Sequence, residues 1–407
     1  MGALARSADA PPPGDVASGT LRPGEPLGVY VHFPFCGVRC PYCDFAVDTR
    51  AGIPHDAYAD AVVGEIDARR SWYEGAGPLA SIYFGGGTPG LWRPDALARV
   101  IAAARGAFPG PPETDALEIT VEVNPGETDE EQLRALRGHG VNRLSIGVQA
   151  FDDRLLRGLG RNHDAAAGPA CVRAARAAGF DNVSIDLMFG VPGQSLDGWR
   201  RAVDTAIELA PEHVSAYALT VERGTAFGAA ARAGRLVRPD DDAVAQMFEH
   251  AGAAFAAAGL ARYEVSSYAR PGRQARHNRL YWSLAAYLGA GASASSFRPL
   301  ADGSAWRFAN PRATDVYLRK PKPQARHVER RTAADLENEA VWLGLRTVAG
   351  IDRAGHRARH GVDAVIGREA AVASAVKSGW LVVDEVKLQL TTDGFLFADE
   401  VATRLWL

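Results

Sequence analysis

Six short runs rich in β-branched and apolar residues recur along the chain, at 27–33 (LGVYVHF), 80–84, 117–123, 143–148, 182–188 and 213–219. Between them lie stretches of helical periodicity, around 56–73, 94–107, 129–138, 164–178 and 196–209, with a further one at 240–258. Leu97, Val100 and Ile101 show the spacing that gives such a helix one apolar face. Strands that alternate with helices pair in parallel, since a crossover of a dozen or more residues is needed to return the chain to the same end of a sheet. The crossovers share one hand, so successive units curl the same way. Six units fall short of the eight that close a full barrel. The expected fold class is therefore α/β, with a partial (β/α)6 TIM-like barrel over 27–268.

The flanks differ in composition. Residues 1–26 are rich in Ala, Pro and Gly and are expected to form a disordered leader, without the apolar core of a signal peptide. After 268 the alternation lapses, and 269–279 (ARPGRQARHNR) is polar and loop-like. From about 333 come a helix, a second helix at 363–378, a strand-like segment at 380–391 and a helix at 393–404. This pattern predicts a mostly helical, winged-helix-like domain within 269–407. Winged helices can hold DNA, but the basic residues are not concentrated here and the formal net charge is −3, so nucleic acid is not the expected partner. No apolar run approaches a membrane span. The absence of an export signal points to the cytoplasm, where clustered thiols serve metals more often than disulfides.

Three of the four cysteines, Cys36, Cys40 and Cys43, fall in a C-x3-C-x2-C loop directly after the first strand. Thiolates are soft ligands for iron–sulfur clusters or zinc. Three of them can hold three irons of a [4Fe–4S] cubane and leave the fourth iron open to a chelating ligand. Zinc would need a fourth donor, for which His32 and Asp44 are at hand. Cys171 lies on the apolar face of a helix and is expected to be core packing.

Other polar residues fall at the ends of the following strands. Gly85, Gly86, Gly87 and Thr88 follow the second strand, where glycine either makes a tight turn or lets backbone approach a ligand closely. Glu122 and Asn124 end the third, Gln149 the fourth, and Arg161 follows in GRNHD. Asp186 lies in the fifth and Thr220 just past the sixth. Singly, Glu122 or Asp186 could be a satisfied buried carboxylate. In a β/α barrel these ends form the rim that carries the active site, and the Cys loop opens on the same rim.

Together YVHFPFC-x3-C-x2-C, FGGGTP, VEVNP, GVQAFD and IDLMFGVPGQ, in that order, resemble the radical SAM superfamily. Within it, the chain resembles the oxygen-independent coproporphyrinogen III oxidase group over about 27–405. The resemblance implies that Cys36, Cys40 and Cys43 bind a [4Fe–4S] cluster. It implies that Tyr30, Gly86 and Glu122 contact cluster-bound S-adenosylmethionine (SAM). It further implies that Tyr42, Gly87, Thr88, Gln149, Arg161, Asp186 and Thr220 line the neighbouring region, and that Ser295 is a further SAM contact.

Two features separate the branches of this group. The oxidases carry another Cys two residues after the third, where this chain has Phe45; the heme-chaperone branch ends its motif in CDF, as here. That branch also carries HN-x-x-YW, found here as His277–Trp282. The resemblance thus implies a heme site at His277, Tyr281 and Trp282, although a His-Asn pair could equally cap the barrel by hydrogen bonding. A later Gly-Ala-His-Ser of many relatives is replaced by Ser293–Ser296, so that histidine has no counterpart. The implied partners are heme and an apo-hemoprotein client, in the first instance a respiratory one. SAM cleavage is expected; coproporphyrinogen oxidation and a radical methylase or cyclase activity are the competing readings.

Overall fold

The computed structural model describes residues 15–111, 117–319, 325 and 327–407. The barrel begins with β1 (Leu27–Phe33), α1 (His55–Arg69), β2 (Leu79–Gly86), α2 (Pro94–Ala107), β3 (Glu118–Val123), α3 (Glu130–Gly138) and β4 (Arg143–Gln149). It continues with α4 (Asp153–Gly158), α5 (Ala167–Ala177), β5 (Val183–Phe189), α6 (Leu196–Glu208), β6 (His213–Ala218), α7 (Ala226–Arg232) and α8 (Asp241–Ala257). β1 to β6 pair in parallel in sequence order. The expected (β/α)6 partial barrel is thus present.

Side chains alternate across each strand, and the two faces meet different surroundings. Val29, Val31, Phe33, Ile82, Val121, Ile146 and Ile185 point outward, where they and helix residues such as Leu97, Val100 and Trp199 form the main apolar core. The inward residues are polar. The register sets Tyr30 beside Tyr83, Glu122 beside Ser145, and Asp186 beside Ser215. Helix starts are fixed by side-chain caps: Asp129, Asp152, Ser195, Thr225 and Asp240 each accept from the backbone N–H three residues on. Each cap pins the loop leading into its helix.

The sheet does not stop at six strands. β7 (Ala261–Glu264) and β8 (Ser267–Ala269) add antiparallel strands beyond β6. After α9 (Arg276–Trp282), β9 (Tyr287–Ala290) pairs parallel to β1 at the other edge. β10 (Ser295–Pro299), β11 (Ala305–Ala309), α10 (Thr314–Arg319) and β12 (Glu329–Arg331) follow, the strands antiparallel. The resulting sheet has twelve strands. Strands of three to five residues are too short to display a period, which is why the sequence did not reveal them. Residues 15–26, expected to be unstructured, pack on this extension: Val16 and Leu21 are buried, and Leu21 bridges to Leu300. Residues 1–14 of the expected leader lie outside the described residues.

α9 replaces part of the expected polar loop. Its first N–H groups, of Arg276 and His277, donate to the Glu118 carboxylate at 3.0 and 3.1 Å. A carboxylate at the positive end of the helix compensates for a sequence with little apolar character.

The remainder is α11 (Ala333–Leu345), β13 (Ile351–Asp352), α12 (Arg353–His360), α13 (Glu369–Lys377), β14 (Leu381–Val383), β15 (Lys387–Leu390) and α14 (Ala398–Arg404). β15 lies between β13 and β14, and Val341, Leu345, Val372, Leu388 and Val401 form a separate core. Helices over a small sheet thus make up 333–407 in winged-helix-like fashion, whereas β9 to β12 of the expected 269–407 domain join the barrel sheet instead. No helix among the described residues is long and apolar enough to cross a membrane.

One buried network ties α1 to the β9–β10 edge. Glu65 pairs with Arg69 at 2.5 Å and accepts from the Gly291 N–H at 2.9 Å, Asn310 Nδ2 at 2.7 Å and the Tyr317 hydroxyl at 2.6 Å. Arg69 donates in turn to Asn310 Oδ1 at 2.8 Å. Removing one partner leaves an uncompensated buried charge. Glu65→Ala is expected to cost about 3–5 kcal/mol, measured as a lowered urea midpoint. The Glu65→Ala/Arg69→Ala pair should cost less than the sum of the single changes.

Candidate functional site

The Cys loop is held at both ends. Cys36 N–H donates to Asp48 O at 3.1 Å, and Asp48 N–H to Pro34 O at 2.8 Å. Beside it runs the exit of β2, where Gly87 N–H donates to Phe33 O and Thr88 N–H to Phe35 O, both at 2.8 Å. A Cβ on Gly87 would stand 2.5 Å from Phe35 O, and one on Gly86, whose φ is +116°, would stand 2.5 Å from the His32 ring. These glycines therefore let two loops touch, whatever ligand they also face.

The three thiols cluster at this junction. Cys36 Sγ lies 3.3 Å from Thr88 Oγ1; Cys40 Sγ lies 3.8 Å from Gly160 O and 3.9 Å from an Arg161 guanidinium nitrogen. Cys43 N–H donates to Cys40 O, turning the third thiol back toward the others. Burial chiefly, reinforced by the neighbouring Cys40 and Cys36, pushes the Cys43 thiol pKa up. Cys171 is buried in the main core, where burial lifts its thiol to about 12.

This donor set suits a cluster better than zinc. Among the described residues no three His, Cys, Asp or Glu side chains converge on a point that could hold one metal ion. A cubane takes one thiolate on each of three irons, so its ligands must surround a volume instead of meeting at a point. His32 is not a free fourth donor: its Nδ1 is 3.0 Å from the Tyr30 hydroxyl and its Nε2 3.0 Å from Ala46 O.

Around the loop the rim is polar. Glu122 accepts from the Tyr83 hydroxyl at 2.7 Å and from Gly86 N–H at 3.1 Å. Burial lifts its carboxyl to about 7, against the Tyr83 hydrogen bond that favours the ionised form. Asp186 accepts from Ser145 at 2.8 Å, and burial likewise raises its pKa. Arg161 donates to Asn124 Oδ1 at 2.5 Å and Gly147 O at 2.8 Å, and Tyr42 is its neighbour. Gln149 takes φ of +64°, rare outside glycine, immediately after the register of β4 against β5 shifts. Thr220 is exposed past β6. Ser295 is exposed where β10 starts, and an antiparallel strand starting beside the end of β9 starts on this same rim.

Two interior residues escaped the sequence reading. Tyr83 holds Glu122. Arg143, fully buried at the start of β4, has Glu118, Tyr83 and Asp186 among its electrostatic neighbours. Tyr83 lies two residues before Gly85 and Arg143 six before Gln149, each at an inward position, so period-two counting along each strand would have found them.

The expected heme set is not assembled as an iron site. His277 is buried at the opposite, N-terminal end of the barrel, its Nδ1 2.8 Å from Ser81 Oγ and its Nε2 2.8 Å from the Tyr281 hydroxyl. Its ring stacks on Tyr83 with centroids 5.1 Å apart, and burial lowers its pKa to about 3. With both nitrogens engaged and the ring enclosed, His277 seals the barrel floor by hydrogen bonding and presents no nitrogen to iron. Tyr281 is committed to His277, whereas Trp282 faces a separate cavity.

Residues 30–206 match the model of the radical SAM superfamily. The chain is 36% identical to the heme chaperone HemW of Mycobacterium tuberculosis over 388 residues, covering 94% of this chain and 95% of that one. It is 37% identical to the Escherichia coli HemW over 279 residues, covering 68% and 72%. Its fold is similar to that of coproporphyrinogen III oxidase from Escherichia coli, with a TM-score of 0.78, 24% identity, and coverage of 95% of this chain and 91% of that one. Membership of the superfamily implies a [4Fe–4S] cluster and SAM as cofactors. The chain belongs to the HemW family of the radical SAM superfamily.

Proposed function

We propose that this protein is a heme chaperone: it binds heme, carries a [4Fe–4S] cluster with SAM, and delivers heme to apo-hemoproteins of the cytoplasm or the respiratory membrane. The observation that carries this reading is the match to HemW along nearly the whole length of both chains. Phe45 supports it. Where the oxidases have a further cysteine, this chain has an aromatic side chain that is 64% exposed beside the Cys loop.

The rim residues divide the work. Cys36, Cys40 and Cys43 would hold the cluster, which when bound supplies the electron that cleaves SAM. Glu122, beside Tyr30 and the Gly86–Gly87 backbone, offers a carboxylate to the ammonium of SAM. Asp186 and Gln149 would orient the remainder of the molecule with Thr88, Thr220 and Ser295. Arg161, fixed by Asn124 and close to Cys40 and Tyr42, places a cation against the anionic cluster site.

Three outcomes are expected. Anaerobically reconstituted protein should hold about four irons per chain. Ala at Cys36, Cys40 or Cys43 should abolish the brown chromophore, while Cys171→Ala leaves it unchanged; iron analysis and absorbance decide this.

SAM affinity should rise with pH through about 7, because the ammonium pairs with the ionised form of a carboxyl that burial keeps protonated below that pH. Glu122→Gln should weaken binding and flatten this dependence in calorimetry across pH 6–8.

Finally, the loaded protein should transfer heme to an apo-hemoprotein, followed by the appearance of the client's absorption bands, without consuming coproporphyrinogen III. Efficient decarboxylation of that substrate would replace the chaperone with an oxidase.

A further inference from the structure

Three segments of the rim meet at one side chain, the amide of Asn124 just past β3. Its Oδ1 accepts from an Arg161 guanidinium nitrogen at 2.5 Å. Its Nδ2 donates to Glu127 Oε2 and to Thr88 Oγ1, both at 2.9 Å. A guanidinium only donates and a carboxylate only accepts, so these two charged partners fix which end of the amide is which. The direction of the third bond follows: Asn124 gives a proton to the Thr88 hydroxyl.

Thr88 passes that polarity on to the Cys loop. It is 1% exposed, and a hydroxyl so buried needs an acceptor inside the protein for its own proton. Asn124 fills one side of the oxygen, and Cys36 Sγ stands 3.3 Å away on another. The Cys36 thiol proton has its own acceptor in Val38 O at 3.1 Å, which cannot donate in return. The Thr88 O–H therefore points at sulfur. On the other side of the amide, Arg161 is also held by Gly147 O at 2.8 Å, with a guanidinium nitrogen 3.9 Å from Cys40 Sγ. Glu127 closes the arrangement. Its Oε1 accepts from Asn162 at 3.2 Å, and a Cβ on Gly37 would stand 2.7 Å from that oxygen, so the carboxylate packs directly on the Cys loop.

We propose that Asn124 is a positioning residue for the cluster: it aims the Thr88 hydroxyl at the Cys36 thiolate and holds the Arg161 guanidinium beside the Cys40 thiolate. The proposal rests on the assignment of these cysteines to the cluster, and adds what tunes it. Hydrogen bonds to the sulfurs and a nearby cation favour the reduced, more negative cluster and so raise its reduction potential. Asn124 thereby sets how much reduced cluster is available to cleave SAM.

The test is an anaerobic redox titration of the full-length, reconstituted protein with dithionite as reductant, without SAM, followed by EPR of the reduced cluster. Thr88→Val should lower the potential, cutting the ratio of reduced to oxidised cluster at a fixed poise roughly fivefold. Thr88→Ser keeps the hydroxyl and should match the wild type. Asn124→Leu should lower the potential further, because it releases Arg161 as well as Thr88, and adding Thr88→Val to it should bring no further drop. Iron content and melting temperature report that each variant is loaded and folded. A loaded Asn124→Leu protein with the wild-type potential, or a double variant whose shift is the sum of the single ones, would overturn the proposal. Where Asn124→Leu holds no cluster, the Thr88 pair decides: a drop in Thr88→Val alone supports the proposal, and equal potentials in the two sink it. A Cys36→Ala protein that kept its full cluster would overturn the ligand assignment, and this proposal with it.

Discussion

A parallel strand inside a β/α barrel has to satisfy two environments with one alternating set of side chains. Here the outward positions are Val, Ile, Leu and Phe packed under the helices, and the inward positions are Tyr, Ser, Glu, Asp and Arg. Each inward polar group then needs a partner, because an unsatisfied one costs about 1–3 kcal/mol. The interior answers with short hydrogen-bonded chains, and their members recur in the account of the rim: Tyr83 to Glu122, Glu122 to the Gly86 N–H, Ser145 to Asp186. The site is the upper end of the solution to a packing problem.

The close approach of the Cys loop to the β2 exit is the second constraint. Side chains at Gly86 and Gly87 would collide with His32 and Phe35, so the thiols reach their junction only because those positions have none. Beside that contact, His32 has both nitrogens engaged, by the Tyr30 hydroxyl and by Ala46 O, which removes the one histidine that could have completed a zinc site. Engagement of His32 counts against zinc, and the match to the radical SAM superfamily decides for the cluster.

Much of this was legible beforehand because it is written in periods and motifs. The six long strands, their helices, the thiol loop and the rim residues announce themselves through alternation and spacing. What stayed hidden was held by tertiary contact. β7 to β12 are too short to show a period. α9 looks like a loop because its stability comes from Glu118, nearly 160 positions away. Val16 and Leu21 sit in a leader of unstructured composition, yet fill an apolar space against Leu300. His277 is the instructive case: a family motif pointed to metal ligation, and two hydrogen bonds that no spacing could reveal assign the ring to sealing the barrel.

That sealing role gives α9 two faces. One carries His277, whose ring stacks on Tyr83, which holds Glu122 at the SAM end of the interior. The other carries Arg279 and Trp282 to a cavity shared with the winged-helix-like domain. The first N–H groups of α9 are tethered to β3 through Glu118, and Leu280 is buried against Gly28 of β1, so this short, polar helix is fixed at the barrel floor by a few hydrogen bonds and one apolar contact that its own sequence does not announce.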